Sequence, residues 1–203
     1  MLSRLILLFA ITIPILAAGQ VGMWPHNQRQ MKKEYNNHDC REYHHYDAKE
    51  RRKFFPYNEA SRITIVSFPN EEDSIGFYQL PLIDGTIDST KIKEHVILTE
   101  PQIDSLTHIL HNFGYKGRIA NLTGRGCYNP RNAILFYDAQ NHLIAWIELC
   151  FECGGHRLSS EKIDMGDLCR DKYWHLQKLF YQCGILLGTV QGTMYPLSVS
   201  TGH

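Results

Sequence analysis

Residues 127–153 read CYNPRNAILFYDAQNHLIAWIELCFEC, and the fold turns on whether they form one hairpin. AILFYD and LIAWIELCF are rich in β-branched and aromatic residues and flank AQNH, which predicts two antiparallel strands joined by a loop at Ala139–His142. With Asp138 facing Leu143, Ile134 falls opposite Ile147, Leu135 opposite Trp146 and Phe136 opposite Ala145. In these three pairs apolar residues meet apolar ones, so the register is self-consistent. Extending it puts Tyr128 opposite Cys153 with Cys127 one step beyond. Cys127 and Cys153 therefore lie close, at a separation compatible with the roughly 4.4–6.8 Å between Cα atoms that a disulfide requires. In a regular strand Cys150 and Cys153 would stand on opposite faces, roughly 10 Å apart. They meet only if the chain turns after Glu152, which Gly154 and Gly155 would permit.

Upstream, RITIVSF (62–68) reads as a strand ended by Pro69, GFYQLPL (76–82) as a second, DGTIDSTK (84–91) as a turn, and HVILT (95–99) as a third short apolar run. A helix starts at Thr99, where Gln102 completes a capping box and Pro101 is acceptable in the first turn. Ile103, Leu106, Leu110 and Phe113 recur at three and four, and Gly114 terminates it. His108 and His111 fall away from that stripe and are expected at the surface. Downstream, DLCRDKYWHLQKLFYQCG predicts a second helix capped by Asp167, with Leu168, Leu176, Leu179 and Phe180 inward and Gly184 at its end. Strands and helices that do not alternate strictly argue for an α+β domain: an antiparallel sheet with two helices packed on one face. The chain shows no internal repeat.

The first residues carry Arg4, an apolar run from Leu5 to Leu16 and the small residues Ala17, Ala18 and Gly19, the pattern of a signal peptide over 1–19. The run is short of the roughly 20 residues a membrane span needs and contains Pro14. Residues 20–61 are expected as a polar N-terminal arm, 62–190 as the domain and 191–203 as a flexible tail. KERRK (49–53) reads as a solvated charged turn. The 21 basic and 21 acidic residues balance, which points to neither nucleic acid nor, after signal cleavage, a membrane as partner. A protein or cell-envelope partner fits a secreted or periplasmic address better.

All six cysteines lie beyond the signal. Cys169 and Cys183 are fourteen residues apart on one expected helix, roughly 21 Å, and cannot bridge each other. Three readings of Cys127, Cys150, Cys153 and Cys169 stand: disulfide staples closing one end of the domain, a zinc site, or a thiol–disulfide exchange centre. His156 is a further ligand in the zinc reading, and Arg131 is a neighbouring contact. Zinc is the one cofactor these residues suggest. The CxxC half lacks a second half at standard spacing and lacks the βαβ context of thioredoxin-like motifs. HDCREYHH (38–45) offers His38, Cys40, His44 and His45 as a metal tract, against which its histidines are read as surface residues of a flexible arm. Glu148 and Glu152 would stand about 13 Å apart on a strand, beyond glycosidase spacing. A cysteine nucleophile would need His156 or His175 beside it, and no Walker A, G-x-S-x-G or H-E-x-x-H pattern occurs.

LTEPQIDSLTHIL, CYNPRNAILFYD, IELCFEC and a closing helix followed by GI together resemble a family of uncharacterised exported proteins of Gram-negative bacteria, over roughly residues 62–188. The resemblance implies export and a single α+β domain and carries no activity. The expected role is a binding or structural module braced by its cysteine cluster, ahead of an enzyme.

Overall fold

The computed structural model describes residues 37–69, 79–116 and 127–198. The expected signal peptide, the acidic run after Pro69 and most of the glycine-rich connection before Cys127 lie outside them. The elements in chain order are β1 (Arg41–Glu42), α1 (Ala48–Arg51), β2 (Arg62–Ser67), β3 (Leu82–Ile83), β4 (Thr86–Ile87), β5 (Glu94–Ile97), α2 (Glu100–His111), β6 (Phe113–Gly114), β7 (Asn132–Tyr137), β8 (Leu143–Cys150), β9 (Gly155–Leu158) and α3 (Lys172–Gln182). Five strands form one antiparallel sheet in the order β5-β2-β7-β8-β9, while β1 pairs with β6 and β3 with β4. The α+β architecture expected from the sequence is the one found.

β2 and β7 sit inside the sheet and are buried on both sides, which suits their unbroken apolar character. One face presents Ile63, Ile65, Ile134, Phe136, Ala145 and Ile147 to Leu106 and Leu110 of α2 and to Leu176 and Phe180 of α3. The other face gathers Val66, Phe68, Leu80, Ala133 and Leu135 into a smaller cluster, with Leu82 and Ile87 of the β3–β4 hairpin packed against it. Both expected helices therefore cover one face, and α2 starts as its sequence implies: the Thr99 N–H donates to Gln102 Oε1 at 2.8 Å.

The β7–β8 ladder keeps the expected register from Asn132–Leu149 to Phe136–Ala145 and then shifts, so that Tyr137 faces Leu143. Asp138 is drawn into the loop instead of pairing with Leu143. Its carboxylate accepts the Gln140 and His142 backbone N–H groups at 2.9 and 2.8 Å, the local bonding that takes aspartate out of a strand.

Residues 37–61, expected as an arm, are fastened to the domain. Cys40 is disulfide-bonded to Cys169, Tyr57 belongs to the main core, and β1 pairs with β6. Within KERRK, Arg51 is buried, not solvated: its Nε donates to Thr107 Oγ1 at 3.2 Å, and it pairs with Asp104. α1 begins at a reciprocal Asp47–Glu50 capping box with bonds of 2.8 and 2.9 Å, a D-x-x-E signal present in the sequence. Beyond residue 190, the tail is held where Gln177 Nε2 donates to the Thr189 and Tyr195 carbonyls at 2.9 and 3.1 Å.

The second helix starts at Lys172 rather than Asp167. Gly166 adopts φ +60°, and a Cβ there would fall 2.0 Å from the Leu110 carbonyl, so the chain approaches the end of α2 too closely to be helical. Lys172 fills that junction. It is fully buried and its Nζ donates to the Leu110 and Met165 carbonyls at 2.6 and 3.0 Å. This places a cation over the Leu110 carbonyl in the last turn of α2 and over a loop carbonyl at Met165, and burial lowers the lysine's pKa to about 8.

His111 is not at the surface. It is 3 % exposed, stacked on Phe54 with ring centroids 4.2 Å apart, and its Nε2 has no hydrogen-bond partner among the described residues. The segment read as an arm is what covers it. Burial lowers the imidazole pKa to about 4, opposed by Asp164 and reinforced by Lys172 and Arg51. The unfolded chain therefore takes up a proton below roughly pH 6.5 that the folded chain refuses until about pH 4. The stability His111 supports is complete above that upper value and drains as pH falls across the window, by about 3 kcal/mol. Urea unfolding at pH 7 and pH 4.5 should show this loss, and His111→Leu should flatten it; equal slopes for the two proteins would refute the assignment.

Candidate functional site

β8 ends at Cys150, and residues 151–154 turn with Gly154 at φ +60°, after which β9 returns so that Gly155 faces Cys150. CFEC is therefore a tight corner and not a regular strand. Cys127 and Cys153 form a disulfide with Cα atoms 5.9 Å apart, the proximity that the hairpin register predicted. The turn also overrides the separation expected for Cys150 and Cys153: the Cys153 N–H donates to Cys150 Sγ at 3.3 Å, and the Asn129 N–H does so at 3.4 Å. Cys150 is a free, fully buried thiol, and burial pushes its pKa up.

The second disulfide, Cys40–Cys169, has Cα atoms 5.0 Å apart. Cys169 lies before α3, and both it and Cys40 are spent in this bridge, which removes Cys40 as a metal ligand. His38 of the same tract is buried, and His44 Nε2 lies 3.0 Å from Asp167 Oδ2. Cys183, at the other end of α3, is free. Of the four cysteines singled out for zinc, three are thus tied into disulfides. Among the described residues, no group of three or more His, Cys, Asp or Glu side chains is arranged to hold a metal.

Arg131 and His156 sit at this end but serve neighbours other than sulfur. Arg131 Nη1 lies 3.2 Å from Glu152 Oε1, and that carboxylate also accepts the Met194 N–H at 2.7 Å. His156 Nδ1 is 2.7 Å from the Tyr173 hydroxyl, and burial lowers its pKa. Glu148 is fully buried, bonded by the Tyr128 hydroxyl at 2.6 Å, by Arg157 Nε and Nη2 at 2.6 and 3.1 Å, and by the Leu80 N–H. Burial, and then the bond to Glu148, raise the Tyr128 pKa. Glu148 is paired with Arg157 and Glu152 with Arg131. His175 packs edge-on to Phe113 with centroids 4.8 Å apart, and Cys150 bonds to backbone donors instead of a histidine.

Both disulfides border one groove of about 590 Å³, walled by the 151–154 turn, the first turns of α3 and residues 195–198. Cys153 and Cys169 are on its rim, and Phe151, Tyr173, Trp174 and Tyr195 give it an aromatic lining. Trp174 and Tyr195 are 48 % and 57 % exposed, a combination of open aromatic surface and rigid walls that suits contact with a partner. Sequence reasoning did not find this groove, because Trp174 and Tyr195 are brought together only by the fold of the tail. The signal for Cys40–Cys169 was weaker but present: with Cys127 and Cys153 brought close by the hairpin register, Cys40, Cys150, Cys169 and Cys183 remain, and the last two are too far apart on one expected helix to bridge each other. No protein-family model, curated protein or solved structure matches this chain.

Proposed function

We propose that this chain is an exported binding module, braced by two disulfides, whose cysteine-end groove receives a protein or cell-envelope partner. The observation carrying this reading is that both disulfides converge on the walls of one aromatic-lined groove. Disulfides persist in oxidising compartments, in keeping with export. No helix among the described residues is long and apolar enough to cross a membrane.

The full set of six cysteines divides into two bridges and two free thiols. Protein purified from an oxidising compartment and denatured should therefore titrate as two thiols per chain, without stoichiometric metal. Its melting temperature should fall with dithiothreitol and stay constant with EDTA. Stoichiometric zinc accompanied by additional titratable thiols would defeat the disulfide-braced reading. A photo-crosslinker replacing Trp174 should give a discrete envelope adduct, while one at exposed Glu59 gives none; absence of an adduct at Trp174 would remove the groove's binding role.

Thiol–disulfide exchange is a second reading, favoured by the Cys153 N–H bond to Cys150 Sγ. Cys150 would attack Cys153 Sγ, release Cys127 and pass its proton to that leaving sulfur. Burial of Cys150 and its raised pKa oppose it. Catalysed reduction of a protein disulfide, lost in Cys150→Ser, is the outcome that would favour exchange over a static brace.

A further inference from the structure

The face of the sheet opposite α2 and α3 carries a second groove, of about 600 Å³, floored by β5, β2 and β7 and bounded by the β3–β4 hairpin. Its lining residues are all different from those of the cysteine-end groove. We propose that it binds a small amphipathic carboxylate, with the apolar body lying on the sheet and the carboxylate directed to Arg62.

The apolar floor is built from Val66, Leu135 and Ile97, and the last is 56 % exposed although it is a large aliphatic residue. The shift between Phe136 and Tyr137 pairs Tyr137 with Leu143 and brings both to the groove. Such a bulge re-aims side chains at a strand end. The volume lies within the range that encloses a small organic ligand.

Arg62 stands at one end of the groove with Asn141 and His142, while Thr64, Thr86, Ser89 and His95 are the other polar residues of the described lining. The Arg62 guanidinium lies over the Tyr137 ring, 4.1 Å from its centroid, and Nη2 is bound to Asn141. Its Nε is buried without a hydrogen-bond partner among the described residues. The guanidinium is thus held in place against an aromatic face in the wall of the groove, and a planar carboxylate is the group that matches its remaining N–H donors. Among the described residues of the lining there is no Asp or Glu. Asp138 on the adjoining loop is occupied by the His142 ring at 3.1 Å and by two backbone N–H groups.

The test uses the oxidised full chain, with 2-naphthoate and decanoate as probes and their uncharged amides as controls, followed by calorimetry. Saturable one-to-one binding of at least one carboxylate is expected, with the matching amide about tenfold weaker, the worth of one charge-assisted hydrogen-bonded pair. Arg62→Met should weaken the carboxylate about tenfold and leave the amide unchanged. Ile97→Glu, at a position exposed enough to leave folding intact, should abolish carboxylate binding by adding a like charge. Failure of both carboxylates to saturate, equal affinities for acid and amide, or retention of carboxylate binding by Ile97→Glu would each overturn the proposal. The acid–amide comparison needs no variant, so it holds even if Arg62→Met does not fold.

Discussion

Glu148→Ala is expected to destabilise the protein by about 3–5 kcal/mol, the range for breaking a buried ion pair by removing one partner. Glu148 is fully buried and takes hydrogen bonds from the Arg157 fork, the Tyr128 hydroxyl and the Leu80 backbone N–H. Three elements converge on one carboxylate: β9, the strand-like entry to β7 and the segment that leads into the β3–β4 hairpin. Truncation leaves a backbone donor and a phenol without acceptors, in addition to the uncompensated guanidinium. Arg157 is 40 % exposed in its side chain and can turn part of its charge to water, which places the loss nearer the lower end. Glu148→Gln keeps the volume but must offer an amide N–H to donors, so it should recover only a fraction. Glu148→Leu combined with Arg157→Leu should be less damaging than Glu148→Ala, because no buried charge is stranded. Urea midpoints for the three proteins test this ordering; a loss under about 1 kcal/mol for Glu148→Ala would mean the site is wetter than its burial implies.

The hairpin and α2 were legible because their signals are local. Apolar residues that face apolar ones across the ladder set the β7–β8 pairing, and Thr99 and Gln102 mark the start of α2 within four residues. Cys127 and Cys153 were placed by the same ladder. What escaped depends on contacts between segments distant in sequence. His111 looks exposed on a helical wheel that knows only the sheet, and becomes buried when Phe54 and Tyr57 close over it from a stretch dominated by charge. Arg51 sits in a run that composition assigns to solvent, yet its fork finds Thr107 and Asp104 on α2. Glu148 and Glu152 looked like a strand pair because nothing local announces that β8 stops at Cys150. The groove at the cysteine end needs α3, a turn and the tail, and no pairwise spacing encodes such a meeting.

Removing the Cys40–Cys169 bridge should have the other large effect. It closes a loop with a sequence separation of 129, for which the chain-entropy model gives about 5 kcal/mol. The Cys127–Cys153 bridge, with a separation of 26, gives about 3.5 kcal/mol on the same model. The two differ in what they hold. Cys127–Cys153 reinforces a hairpin that β7, β8 and β9 already bond together, so much of its contribution is to restrict the unfolded chain. Cys40–Cys169 fastens a segment that other contacts also hold: the two-residue pairing of β1 with β6, the Tyr43 and His44 N–H groups on the Asn112 carbonyl, His44 beside Asp167, Arg51 on α2, Phe54 on His111, and Tyr57 in the core. Cys40→Ser with Cys169→Ser should therefore lower the melting temperature by about 10 °C or more, on the usual conversion for a domain of this size. Hydrogen exchange should accelerate first over residues 41–55. Because Phe54 covers His111, the same variant should also let that imidazole titrate nearer its ordinary value, visible in its ring proton shifts. A melting shift below about 2 °C with unchanged exchange would mean that α1 and Tyr57 hold the segment without the bridge, while a large shift with unchanged exchange over 41–55 would place the bridge's effect in the unfolded chain alone.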